Sequence, residues 1–238
     1  MEENTLISKL MKFGLTRQAA SIYLCLLSNN EISGYEVSKI TGISRSNVYS
    51  ALAGLVDDGA AYLLEGTTNK YVAVDIEDFC QNKIRHLMET KKELIQEIPR
   101  MSVNSEGYIT IKGHRHIVDK IHSMFEHVEY RIYISIPSKY IEEFRTDFEM
   151  LLREGKKVVI LTDNPLKKDI DGCVIYITGK EDEQLKFIVD SSYVLTGDMC
   201  GLAADTCLYC GQKNFVKVFK DSLSNEIKLI ELMNKEKN

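Results

Sequence analysis

The sequence predicts a two-domain protein: an α+β domain at the N-terminus, one long helix, and an α/β domain filling the rest of the chain. Three observations carry that prediction. Apolar residues recur at helical spacing through the first third of the chain, which closes on two short β-rich runs around a Gly-Thr-Thr-Asn turn. The stretch from Asp75 to Pro99 has no internal helix breaker. From Gly107 onward, β-rich runs alternate with amphipathic helical patterns, as a layered α/β domain requires. The boundaries drawn from these signals are 1–74, 75–100 and 101–238.

Composition narrows the function classes. The hydrophobic fraction of 44% supports a packed core. No apolar run approaches the roughly 20 residues that cross a bilayer, and the charged N-terminus does not read as a signal peptide. Six cysteines in 238 residues do not read as a disulfide framework, so the expected location is the cytoplasm, with no membrane partner. Net charge is −5 and the sequence pI about 5.6. Residues 1–75 hold six Lys/Arg and eight Asp/Glu. A nucleic-acid surface here must therefore be a local patch, built from Lys39, Arg45 and Lys70 with support from Lys9, Lys12 and Arg17.

Taken in order, Leu6, Ile7, Leu10 and Met11 mark a short amphipathic helix ending at Gly14. Thr16 caps a second helix that runs to about Leu27 through Ala19, Ile22, Tyr23 and Leu26. Ser33 caps a third, Gly34 to Ile40, and Ser44 a fourth, Arg45 to Val56. Thr41-Gly42-Ile43 is the turn between them, with Gly42 free to take a positive φ. Val37, Ile40, Ile43, Val48, Ala51, Leu52 and Leu55 form the buried stripe. That leaves Arg45, Ser46, Asn47, Tyr49 and Ser50 outward. A cation, an amide and hydroxyls on the N-terminal face of a helix can read base edges and phosphates in a major groove; the plainer alternative is a helical hairpin with a solvated face. Gly59 stops the fourth helix. AAYLLEG and KYVAV then read as a hairpin joined by Gly66-Thr67-Thr68-Asn69. This is the winged helix-turn-helix order, and Thr68, Asn69 and Lys70 at the wing would touch DNA backbone or minor groove.

The opening GLT…A…IYLCLL, the recognition-helix pattern ISRSNVYSALAGLVDDG and the closing KYVAV together resemble the N-terminal domain of TrmB-family transcriptional regulators. The resemblance covers the first third of the chain and departs at Asp57 and Asp58, where a lysine is common. It implies sequence-specific binding of double-stranded DNA by a homodimer. In the long segment, Cys80, Ile84, Leu87, Lys91, Leu94 and Ile98 are spaced 4-3-4-3-4, a heptad seam. The seam reads as a coiled-coil dimer linker; its alternative is a helix packed on its own domain.

In the C-terminal domain, YITIKG, RIYISI, KVVILTD, CVIYITG, LKFIVD, SYVLTGD and GLAADTCLYCG read as strands. Helices are expected at His114–Val128, Ser138–Glu154 and Gln212 to about Glu236. Ile117, Val118, Ile121, Met124 and Phe125 should face inward, as should Tyr140, Ile141, Phe144, Phe148, Leu151 and Leu152. QLKFIVDSSYVLTGD resembles the strand-turn-strand of the phospholipase D superfamily, where His-x-Lys-x4-Asp leads to a glycine. Asp190 and Gly197 match. Glu183 stands where the nucleophilic His belongs and Leu185 where the phosphate-binding Lys belongs, with Lys186 one residue out of register. The resemblance thus implies a phospholipase-D-like fold without its catalysis, in a sensing or dimerising role. An active phosphodiesterase carrying an accessory winged helix is the alternative.

Other chemistry is sparse. His114 and His116 at i and i+2 of a helix do not share a face. Cys207 and Cys210, with Cys200 and Cys173, could chelate a metal or act in redox chemistry, but buried small residues are the simpler reading. No cofactor is expected. The reading is a DNA-binding, non-enzymatic regulator whose C-terminal cleft takes a small-molecule effector, with Lys186, Asp190 and Asp198 as the effector-binding residues.

Overall fold

A computed structural model describes residues 2–99, 107–179 and 183–236. The chain divides into two compact units, Met1–Ser102 and Val103–Asn238. The polar boundary segment expected after Pro99 lies outside the described residues except for Gly107.

The first unit runs α1 (Glu2–Lys12), α2 (Arg17–Leu27), β1 (Ile32–Ser33), α3 (Gly34–Thr41), α4 (Arg45–Asp57), β2 (Ala61–Leu64), β3 (Lys70–Ala73) and α5 (Ile76–Glu97). Local chemistry sets most boundaries. The Thr16 hydroxyl accepts from the Ala19 amide at 3.1 Å. Ser33 and Glu36 form a reciprocal capping box on α3. Gly42 takes φ 70° after α3 and Gly59 φ 69° after α4, conformations that favour glycine. The turn between α3 and α4 is pinned twice: Ser38 Oγ donates to the Ile43 carbonyl at 2.7 Å, and the Ile43 amide donates to Thr41 Oγ1 at 3.3 Å. Ala20, Ile22, Tyr23, Val37, Val48, Leu52 and Leu55 are fully buried.

Two sequence expectations are corrected here. Ser44 sits at the N-cap position of α4, yet its hydroxyl accepts no helix amide and instead lies 3.4 Å from Ser46 Oγ. Ile40 is 58% exposed. The buried residues of α3 are Gly34 and Val37, in its first half, so its last turn projects into solvent. Strand β1 was not expected. Its two residues are too few for any period and form only because Ile32 and Ser33 pair with Tyr71 and Lys70.

The first turns of α5 are anchored. Phe79 is its one buried residue among those described, with its ring 5.4 Å from that of Tyr23. The Tyr23 hydroxyl donates to the Val74 carbonyl at 2.9 Å, and burial pushes its pKa up to about 12. Beyond Lys83, which pairs with Asp58 at 3.2 Å, the apolar residues of the helix face solvent: Leu87 is 59% exposed and Met88 60%.

The second unit contains β4 (Ile109–Lys112), α6 (His114–Phe125), β5 (Arg131–Ser135), a 3-10 helix (Ser138–Phe144), α7 (Arg145–Arg153), β6 (Lys157–Thr162), β7 (Val174–Ile177), β8 (Gln184–Val189), β9 (Tyr193–Asp198), β10 (Thr206–Cys210) and α8 (Lys213–Glu236). Its seven strands lie in the order β4-β10-β9-β8-β5-β6-β7. Only β5-β6-β7 are parallel neighbours; the others are antiparallel. α6 and α7 cover one face, where Ile117, Ile121, Phe125 and Phe148 meet Ile134 and Phe187. α8 covers the other, where Val216 and Leu223 meet Val159, Leu161 and Ile188. The single helix expected over Ser138–Glu154 is split at Phe144. In a 3-10 helix residues three apart eclipse, which turns both Ile141 and Phe144 into the core. Among the described residues, no helix is long and apolar enough to cross a membrane.

Candidate nucleic-acid interface

α4 buries Val48, Leu52 and Leu55 and leaves Arg45, Ser46, Asn47, Tyr49 and Ser50 exposed, with Ser44 exposed ahead of them. Arg45 is not isolated. Its guanidinium carbon lies 4.4 Å from the ring centroid of Tyr35, and Lys39 Nζ lies 4.7 Å from the same centroid. The negative face of one aromatic ring attracts both cations, so Tyr35 gathers the two expected basic residues at the N-terminal end of α4. Tyr35 itself is 40% exposed on α3. Sequence reasoning missed it because a lone tyrosine on a polar helix face carries no pattern; the available signal was its i,i+4 spacing to Lys39.

Tyr49 is held differently. A Cβ placed on Gly34 would lie 2.6 Å from Tyr49 Cε1, so the missing side chain at Gly34 is what lets the Tyr49 ring rest on the first turn of α3. The hairpin residues Thr68, Asn69 and Lys70 are exposed as a separate group. Lys70 pairs with Glu31 at 3.6 Å, both groups being half exposed, a contact of small energy.

The residues expected to bind an effector are dispersed. Lys186 sits on the α8 face of β8 and pairs with Glu226 at 3.7 Å. Asp190 lies in the β8–β9 turn, where it accepts from the amides of Glu129, Tyr130 and Arg131 at 2.7, 2.9 and 2.8 Å. In this turn Asp190 and Ser191 take φ 49° and 57°, values rare outside glycine. Asp198 ends β9 opposite Gln184, at the other end of the strand pair. The three do not converge. The matching positions of the phospholipase-D-like pattern have local structural reasons: Asp190 ties the turn to β5, and a Cβ on Gly197 would collide with the Thr206 carbonyl and lie 2.6 Å from Cys207 Cα. Leu185 is fully buried in the core. Glu183 pairs with Lys139 at 3.4 Å.

Among the described residues the cysteines do not assemble a metal site. Cys207 and Cys210 are buried, Cys200 and Cys173 partly so, and all four are free. Burial pushes the Cys207 and Cys173 thiols up to about 12, and the hydrogen bond to Glu183 pushes Cys200 up to about 11. Among the described residues no group of three or more His, Cys, Asp and Glu could hold a metal ion. His114 turns inward to the buried Asp205, Nδ1 to Oδ2 3.4 Å, while His116 is exposed. Asp205, which carried no signal in the sequence, accepts from the amides of Cys200, Gly201 and Leu202 and so pins the loop before β10.

Two family models match the chain. Residues 10–77 match "Sugar-specific transcriptional regulator TrmB", and residues 107–226 match "Transcriptional regulator TrmB, EBD N-terminal subdomain". An uncharacterized protein of Bacillus subtilis, YrhO, is 24% identical over 206 residues, covering 83% of this chain and 74% of that protein. The HTH-type sugar sensing transcriptional regulator TrmBL1 of Pyrococcus furiosus is 28% identical over 151 residues, 61% of this chain, which spans only 44% of that regulator. The solved structure of TrmBL2, described as an archaeal chromatin protein with a novel mode of DNA binding, covers 96% of this chain and 99% of its own at 19% identity and a TM-score of 0.46.

Proposed function

The chain belongs to the TrmB family of DNA-binding transcriptional regulators, and we propose that it acts as a homodimer that reads double-stranded DNA through α4. In this reading residues 1–74 form a winged helix-turn-helix, 75–100 a coiled-coil dimer linker, and 101–238 a phospholipase-D-like domain that senses an effector and carries out no catalysis. The protein works in the cytoplasm.

The observation that carries the DNA-binding reading is the Tyr35-centred arrangement. Arg45 and Lys39 are gathered on one ring beside the exposed hydroxyl and amide side chains of Ser44, Ser46, Asn47 and Ser50. A guanidinium held before contact loses less side-chain entropy on meeting a base edge or phosphate. The linker reading is supported by Leu87, Leu94 and Ile98, which line an open apolar groove along α5. A two-fold axis there would present two recognition helices to half-sites about one helical turn apart, or a multiple of it. The non-catalytic reading is supported by Glu183 and by the buried Leu185, which offer neither an imidazole nucleophile nor a phosphate-binding amine at those positions.

The test is selection of duplex DNA from a random pool by the purified protein at fixed salt, followed by binding of the selected site by the Arg45→Ala protein. Loss of about 1–3 kcal/mol is expected if the arginine contact is bidentate. Equal affinity of the two proteins would remove Arg45 from the interface. Turnover of a generic phosphodiester by the purified protein would instead favour the enzymatic alternative.

A further inference from the structure

The C-terminal unit has a cleft between α8 and the sheet that was not visible in the sequence. It encloses about 430 Å³, within the range of roughly 300–1,000 Å³ usual for small-molecule sites. Its lining includes Arg131, Lys157, Lys220 and Lys228 and no acidic residue, in a chain whose net charge is −5. Arg131 and Lys157 are Cα partners at the starts of the adjacent strands β5 and β6. Lys220 and Lys228 are two helical turns apart on one stripe of α8. Among the described residues none of the four belongs to an ion pair; Arg131 reaches only the Ser191 hydroxyl, at 3.5 Å. The carboxylate of Glu231 is engaged by the Tyr176 hydroxyl, which donates to it at 2.7 Å.

We infer that this cleft binds a small phosphorylated molecule. Four like charges around one recess repel one another and focus a positive potential into it, and an anion relieves both effects. The floor is partly apolar, formed by Tyr133, Ile188 and Leu223, and suits a ring or carbon skeleton attached to the phosphate. A duplex backbone fits less well, since its phosphates lie on a convex surface while these cations surround a recess. Binding depends only on the cleft; an effect on DNA affinity rests in addition on the regulator reading above.

The experiment is calorimetric titration of the full chain with inorganic pyrophosphate, with glucose 6-phosphate against glucose, and with AMP against adenosine. A phosphorylated compound should bind on the order of ten-fold or more tightly than its uncharged counterpart, and the preferred pair distinguishes a sugar phosphate from a nucleotide. The Lys220→Gln/Lys228→Gln protein, altered at two exposed positions, should keep its thermal midpoint and lose on the order of ten-fold in that affinity. Equal binding of charged and uncharged partners, no binding at millimolar concentration, or unchanged affinity in the double variant would overturn the inference. So would a double variant that loses duplex affinity alone, which would assign the cations to DNA backbone. The Arg45→Ala protein should titrate as wild type, so a failure of the α4 reading leaves this result untouched.

Discussion

Tyr35 provides the sharpest test of how the interface is organised. The perturbation is Tyr35→Ala, alone and combined with Arg45→Ala. The ring holds the Arg45 guanidinium at 4.4 Å and is itself 40% exposed, so the attraction belongs to the weak end for such pairs, about 0.5–1 kcal/mol. If that energy keeps Arg45 aimed at DNA, removing the ring should weaken binding roughly two- to five-fold per half-site. The Arg45→Ala change removes the contact itself and should cost about 1–3 kcal/mol. The two losses should not add: in the Arg45→Ala background, Tyr35→Ala should retain only what it contributes through Lys39, leaving a coupling energy of about 0.5–1 kcal/mol. Tyr35→Phe keeps the ring face and should bind as wild type. The assay is fluorescence anisotropy on the selected duplex, with salt held constant because phosphate contacts make affinity salt-dependent. Strict additivity of Tyr35→Ala and Arg45→Ala, or an equal loss for Phe and Ala at position 35, would refute the positioning role.

Leu87→Glu with Leu94→Glu puts like charges on the exposed seam of α5 and should convert a dimer to monomers in sedimentation; a persistent dimer would move the interface to another surface. Asp190→Ala strips three backbone amides of their acceptor and should cost roughly 2–4 kcal/mol in denaturant unfolding after allowance for its surface position. Unchanged stability there would free Asp190 for a ligand-facing role. The Glu36 carboxylate is held below its ordinary pKa of 4.5, first by the Ser33 amide and then by its hydroxyl. Its contribution is therefore present above pH 4.5 and lost as pH falls through the lower folded value, so acid unfolding of Glu36→Gln should show a shallower pH dependence in that window. Cys200 is pushed up to about 11, mainly by its hydrogen bond to Glu183, and alkylation of this thiol near neutral pH should speed up in Glu183→Gln.

What could be read directly from the chain is what a few neighbouring residues decide. Thr16 and Ser33 cap their helices, Gly42 and Gly59 take left-handed φ, and the inward stripes of α6 and α7 fall where helical spacing puts them, because each depends on steric and hydrogen-bonding choices within one or two turns. The outward face of α4 was legible for the same reason. Tertiary structure decided the rest. Tyr35 became a hub only when the pinned α3–α4 turn swung Arg45 over its ring. Asp190 found its amide partners about 60 residues earlier in the chain, because β8 pairs with β5 rather than with a sequence neighbour. That strand order also sends Lys186, Asp190 and Asp198 to different places and sets Arg131 beside Lys157, while the packing of α8 on the sheet brings Lys220 and Lys228 to the same cleft. Periodicity assigns a residue to a face of its own element; which residues share a site depends on which elements become neighbours, and that is set by burial of apolar surface summed over the whole domain.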